Sequence, residues 1–145
     1  MERITVHAKF HTGHRQLGYP GKCKFVHGHT WRATITVTTD EFPRDDLDMS
    51  LDFGDLKRIV RFLDHKMLVT ENDATFLDPA LFEPEGVVLI KGKGPSVENV
   101  AAYAFDGVVA HISEKFPGRG KAYVISVTII ETENNLFTVE KTATI

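Results

Sequence analysis

A chain of 145 residues, 42% hydrophobic and 26% charged, has the size of one domain over 1–145 and the composition of a globular protein with a sizeable core. A formal net charge of −3 offers no general field for nucleic acid or an anionic membrane, and no apolar run approaches the ~20 residues of a bilayer span. One cysteine cannot close an internal disulfide and Met1–Ile4 lacks a signal peptide's apolar core, so the expectation is a cytoplasmic protein without nucleic-acid or membrane partners.

Ile4, Val6, Ala8 and Phe10 alternate with Thr5, His7 and Lys9, the period-two pattern of a half-buried strand. Extended as far as His14, that strand puts His14 on the apolar face. Gly18-Tyr19-Pro20-Gly21 marks a loop. A second alternation follows, with Trp31, Ala33, Ile35 and Val37 on one side and Thr30, Arg32, Thr34 and Thr36 on the other. His27 and His29 share the parity of the apolar set, so both imidazoles face the core side, where His14 meets them from the neighbouring strand. Asp52 is placed to cap a helix carrying Phe53, Leu56, Ile59, Val60 and Leu63 on one stripe, with Asp64-His65 at or near its last turn. Residues 69–95 form a long connection containing Pro79, Pro84 and Pro95, with a short strand at Val87–Ile90. A second helix starts near Ser96, carries Val97, Val100, Ala101, Ala104, Val108 and Ile112, and stops at Phe116-Pro117-Gly118. Two closing strands hold Ile125, Val127, Ile129 and Glu131, then Phe137 and Val139, joined through Glu133-Asn134-Asn135. The simplest packing of this order is an α+β fold, a four-stranded antiparallel sheet with two helices on one face. Its two open edges are a liability that edge-to-edge assembly removes, so a homo-oligomer is expected.

His14, His27 and His29 form the metal hypothesis, since three protein ligands and an open position make a catalytic zinc site. Cys23 is either a fourth ligand, closing the site into a structural one, or a free nucleophile or base; a small buried hydrophobe is the ordinary role of a lone cysteine. Lys22 and Lys24 beside it, and a nearby metal, favour the thiolate. Asp64-His65 reads as a carboxylate orienting an imidazole, or as an exposed acid beside a histidine at a helix C-terminus. Glu131 continues an apolar strand face, where a carboxylate is costly to bury unless paired. A ring edge offering two adjacent N–H donors would satisfy it, whereas a strand emerging into solvent would leave it merely exposed. Glu98 reads as a first-turn acid, Trp31 as core, and His7 and His111 as ordinary surface or boundary residues. Lys91 and Lys93 are solvated cations or partners of an anionic substrate tail.

In order, Phe10-His11-Thr12-Gly13-His14-Arg15, Cys23-x-x-x-His27-Gly28-His29, Asp52-Phe53-x-x-Leu56-Lys57, Leu63-Asp64-His65, Pro95-Ser96-x-Glu98-Asn99 and Glu131-Thr132 resemble the 6-pyruvoyl-tetrahydropterin synthase / 6-carboxy-tetrahydropterin synthase family over about residues 4–140. The resemblance implies the tunnelling fold (strand-strand-helix-helix-strand-strand), in which trimers close their sheets into a barrel and two trimers stack into a hexamer. By position it implies zinc held by His14, His27 and His29, and a pterin ring anchored by Glu131. Cys23 would be the catalytic thiol, with Asp64 and His65 of another subunit completing a proton-transfer triad. The implied activity is a zinc-dependent lyase acting on 7,8-dihydroneopterin triphosphate. One branch of the family keeps the side chain, as 6-pyruvoyl-tetrahydropterin. The other cuts it to give 6-carboxy-5,6,7,8-tetrahydropterin, acetaldehyde and triphosphate, an early step toward queuosine and other deazapurines. The short Cys-x-x-x-His spacing resembles the carboxy branch, which is the expectation. A non-catalytic zinc-binding module with Cys23 as a structural ligand is the rival from another class. The chain departs from the family pattern at His11, where a small residue is usual, at Thr30-Trp31, at Ser96 and in the length of 69–95.

Overall fold

The computed structural model describes residues 1–145, and its two longest strands form where the alternation is longest. Strands β1 (Glu2–His14) and β2 (His27–Thr39) pair antiparallel from Glu2 opposite Thr39 to His14 opposite His27. Helix α1 (Phe53–Arg61) begins where the Asp52 carboxylate accepts the Gly54 and Asp55 N–H groups at 2.6 and 3.2 Å, a cap worth about 1 kcal/mol. Leu56, Val60 and Leu63 are buried as the stripe predicts, but Phe53 is exposed. At the first helical position, Phe53 lies beyond the turns that pack.

Strands β3 (Lys66–Val69) and β4 (Val87–Leu89) follow, then helix α2 (Val97–Lys115), capped by Ser96, whose hydroxyl accepts the Asn99 N–H at 3.3 Å. Strands β5 (Ala122–Thr132) and β6 (Asn135–Thr144) complete the chain. The sheet order is β4-β3-β1-β2-β5-β6. The sheet is therefore six-stranded and mixed, and the predicted four-stranded antiparallel sheet is only its central and C-terminal part. β3 runs parallel to β1 at Thr12 and Gly13, and β4 runs parallel to β3. At four and three residues these strands are too short to show a period, and parallel partners are joined by crossovers rather than by a readable hairpin turn. The strand predicted inside 69–95 is β4; β3 lies ahead of it.

Phe10, Trp31, Ile35 and Val37 of the first hairpin, Ile125, Val127 and Ile129 of β5, and Val100, Ala104, Val108 and Ile112 of α2 belong to one hydrophobic cluster with Leu56 and Val60 of α1. Both helices thus cover the same face. Each large apolar side chain buried there contributes roughly 1.5–3 kcal/mol. The opposite face of β1 and β2 carries Thr5, His7, Lys9 and His11 beside Thr30, Arg32, Thr34 and Thr36, all exposed or half-buried.

Candidate metal centre and active site

β1 ends on His14 and β2 starts on His27, and the register sets the two opposite one another. His29, two residues further on, keeps the same face and lies opposite Thr12. The three rings converge, with centroids 4.6 Å apart for His14 and His27, 4.9 Å for His27 and His29, and 5.3 Å for His14 and His29. Trp31, fully buried, stands edge-on to His14 and His29 at 5.0 and 5.7 Å and closes the core side of the cluster.

Glu131 arrives from β5. Ile130 pairs with Leu136 and Thr132 with Asn135, so Glu131 is the extra residue of a β-bulge. A bulge frees one residue from the ladder and re-aims its side chain. Here Glu131 Oε1 lies 3.2 Å from His14 Nε2 and 3.4 Å from His29 Nε2.

The donor chemistry fits a metal ion. His14 Nδ1 lies 2.7 Å from the Pro95 carbonyl and His27 Nδ1 lies 2.7 Å from the Phe25 carbonyl. A carbonyl only accepts, so each Nδ1 carries the proton and each Nε2 presents a lone pair to the cluster. The Nε2 atoms of His14 and His29 are buried, and neither is aligned in a hydrogen bond despite the nearby carboxylate. A lone pair facing a carboxylate across 3.2 Å leaves two acceptors without a donor, which a cation held at the imidazoles relieves. One donor atom from each of His14, His27, His29 and Glu131 lies within 4.8 Å of the others. Donor atoms that close can be drawn onto one ion by side-chain adjustment alone. Burial also pushes the His29 imidazole down, toward the neutral form that ligates.

The long connection 69–95 earns its place by supplying the Pro95 carbonyl. Arg15, next to His14, donates from Nε and Nη2 to the two carboxylate oxygens of buried Asp73, each at 2.6 Å, and its guanidinium lies 4.9 Å over the Phe76 ring. At the far end the Asn99 amide donates to the Gly94 carbonyl at 2.7 Å. The first tie holds the loop against the end of β1, and the second holds it against the start of α2.

Cys23 is not among the converging donors. It sits half-buried in a single helical turn, Lys22–Lys24, and its carbonyl accepts the Gln16 N–H at 2.8 Å. Asp64-His65 is elsewhere again. α1 ends at Arg61, and the chain turns through 62–65 with His65 at φ 58. That left-handed conformation lets two adjacent side chains meet, which a helix forbids. Asp64 Oδ2 lies 2.7 Å from His65 Nδ1, and Asp64 Oδ1 accepts the His11 N–H at 2.6 Å. The His65 N–H in turn donates to the His11 carbonyl at 2.7 Å. The His11 N–H, and then His65, hold the Asp64 carboxyl below its ordinary value. Cys23 makes no hydrogen bond to Asp64 or His65 within the chain.

A sequence model described as 6-pyruvoyl tetrahydropterin synthase matches residues 3–142. The chain belongs to that family. Among its relatives, a 6-carboxy-5,6,7,8-tetrahydropterin synthase from Rickettsia bellii is 25% identical over 139 residues, covering 92% of this chain and 96% of the relative. A 6-carboxy-5,6,7,8-tetrahydropterin synthase from Haemophilus influenzae is 31% identical over 78 residues, covering 53% and 52%. In fold, the chain is similar to a 6-pyruvoyltetrahydropterin synthase from Plasmodium vivax at a TM-score of 0.69, with 18% identity and 98% of each chain covered.

Within this pterin-synthase family frame, the residues that sequence reasoning missed are the ones that brace the cluster. The Pro95 carbonyl is a backbone group with no side-chain signature. Arg15 stands in the first motif, but nothing local marks Asp73, 58 residues away, as its partner. The bulge at Glu131 has no glycine to announce it.

Proposed function

We propose that this chain is a zinc-dependent lyase that converts 7,8-dihydroneopterin triphosphate to 6-carboxy-5,6,7,8-tetrahydropterin, acetaldehyde and triphosphate. The observation that carries the reading is the cluster itself. Two imidazoles are locked by carbonyls so that Nε2 faces inward, and a third, with a buried unpartnered Nε2, stands beside them. His14, His27 and His29 would hold the ion. Bound zinc supplies Lewis acidity to the side-chain hydroxyls of the substrate.

The chain's own residues supply the rest. Glu131 accepts two N–H groups from the pterin ring edge, orienting the side chain toward the imidazoles. Cys23 removes a proton as thiolate, and His65, steered by Asp64, passes protons on its exposed Nε2 side. Because Cys23 and His65 do not meet within the chain, the working site joins Cys23 of one copy to Asp64-His65 of another. Exposed Phe25 and Val26 beside Cys23, and the free edge of β6 with exposed Leu136, are surfaces suited to such a trimer or hexamer. The protein would act in the cytoplasm, in a route toward queuosine or related deazapurines. The absence of Cys23 from the donor set weighs against a purely structural zinc module.

The names of the relatives and the Cys-x-x-x-His spacing favour the carboxy product, while the names of the family model and solved structures favour 6-pyruvoyl-tetrahydropterin. Incubating zinc-loaded protein with dihydroneopterin triphosphate and assaying acetaldehyde and triphosphate separates them. Both products support the carboxy reading, triphosphate without acetaldehyde overturns it in favour of the pyruvoyl one, and formation of neither product overturns both.

A further inference from the structure

The open face of the β1–β2 hairpin is a ladder of polar cross-strand pairs. Arg3 Nε donates to Thr38 Oγ1 at 3.3 Å, and the Thr5 and Thr36 hydroxyls are 3.1 Å apart. His7 Nδ1 lies 3.0 Å from Thr34 Oγ1, and His11 Nδ1 lies 3.1 Å from Thr30 Oγ1. Each of these rungs joins a β1 side chain to a β2 threonine. One rung between Arg3 and His11 breaks the rule. Lys9 stands directly opposite Arg32, and no hydrogen bond or ion pair engages either side chain. Like charges facing across an antiparallel pair destabilise it, and a threonine at 32 would have completed the ladder.

A third cation converges on the same place from a different element. Arg61, in the last turn of α1, shares a depression with Lys9, Arg32, His7 and Thr34, and no carboxylate lines it. Arg61 has a local reason to be where it is, since a cation suits a helix C-terminus. Lys9 and Arg32 have none. The chain as a whole carries 17 Lys and Arg against 20 Asp and Glu, so an acid-free cluster of three cations runs against its composition.

The geometry points to a binding site for a linear oligophosphate on this face, held by Lys9, Arg32 and Arg61. Two guanidinium forks match the paired oxygens of successive phosphates, and a lysine adds a point charge. The depression also lies along β1 from the cleft of His11 and His65, two residues or on the order of 7 Å from Lys9 to His11. A phosphate chain carried by a substrate at His65 would reach it. The choice of source rests on the function proposed above; the site itself does not. The oligophosphate is either the triphosphate tail of that substrate or a free chain.

Titrating zinc-loaded protein with inorganic tripolyphosphate at low and high salt tests the site without turnover. Saturable binding that weakens with salt is expected, falling at least about tenfold in Arg32→Thr and in Lys9→Thr. Arg32→Thr should melt at a higher temperature than the parent, because it removes the repulsion and restores the rung; a core or folding role would lower it. Unchanged tripolyphosphate affinity in both variants overturns the proposal. A change of sedimenting mass without a change of affinity also overturns it, and makes the rung a contact between copies. In turnover, a raised KM for dihydroneopterin triphosphate with kcat retained assigns the site to the substrate tail. Unchanged KM with lost tripolyphosphate binding assigns it to a free chain. If no preparation turns over that substrate, the proposed function fails while the titration still decides the site.

Discussion

His14 is 2% exposed and is set by elements from across the chain: β1 carries it, β2 brings its two partners, β5 brings Glu131, and the turn before α2 brings the Pro95 carbonyl. The His65 side chain is 82% exposed and is set by one turn and the backbone of one neighbouring residue, His11. The first arrangement is a platform whose parts cannot move singly. The second is a carboxylate–imidazole pair offered outward, formed within one turn. A metal ligand needs its lone pair aimed at a fixed point, whereas a proton carrier needs only orientation and access.

Substitutions on the two sides should therefore separate cleanly. His27→Ala should take zinc from one per chain to none by elemental analysis, while Asp64→Ala keeps full stoichiometry. Loss of zinc in Asp64→Ala would show the two regions to be one unit. Next in size, Cys23→Ala and His65→Ala should retain zinc and lower kcat by about 10²–10⁴-fold; zinc loss in Cys23→Ala would return the thiol to the ligand set. Asp73→Ala removes the partner that pins Arg15 and the loop behind His14, so a chelator competition should find zinc held about tenfold more weakly. The platform should be sensitive at that distance, and the outward pair should not be.

Smaller effects sharpen the picture of the turn. At φ 58, His65 pays strain that glycine avoids, so His65→Gly should be more stable than His65→Ala by up to about 1 kcal/mol in denaturant melts, although both lose the imidazole. The Asp64 carboxyl is held below its ordinary value of 3.8. A depressed folded value means the carboxylate stabilises the turn above 3.8, and that this contribution is lost as pH falls through the lowered value. Exchange of the His11 amide hydrogen should therefore show less protection at acid pH in the parent, and Asp64→Asn should remove that dependence.

The platform was partly legible because one buried face dictates parity. Once Phe10 and Trp31 are in the core, His14, His27 and His29 have nowhere else to point. The N-caps Asp52 and Ser96 were legible for the same local reason, since a capping side chain acts within three residues. What stayed hidden is non-local. β3 and β4 owe their conformation to neighbours in the sheet, and Asp73 acquires its meaning only when Arg15 is folded against it. Cys23 and His65 could be named from motifs, and the resemblance set them on different subunits; which surfaces of the chain carry them is a property of the fold.

The extra residue at 131 has a mechanical consequence. On its β2 side β5 stays in regular register up to Arg32 opposite Ile130, whereas on its β6 side the count slips by one between Ile130 and Thr132. The Glu131 carboxylate is thus positioned from the hairpin that carries the histidines, and the slack in the β5–β6 pairing insulates it from the Glu133-Asn134 turn. A change of length at that tip should therefore disturb the carboxylate less than a change in β2 does.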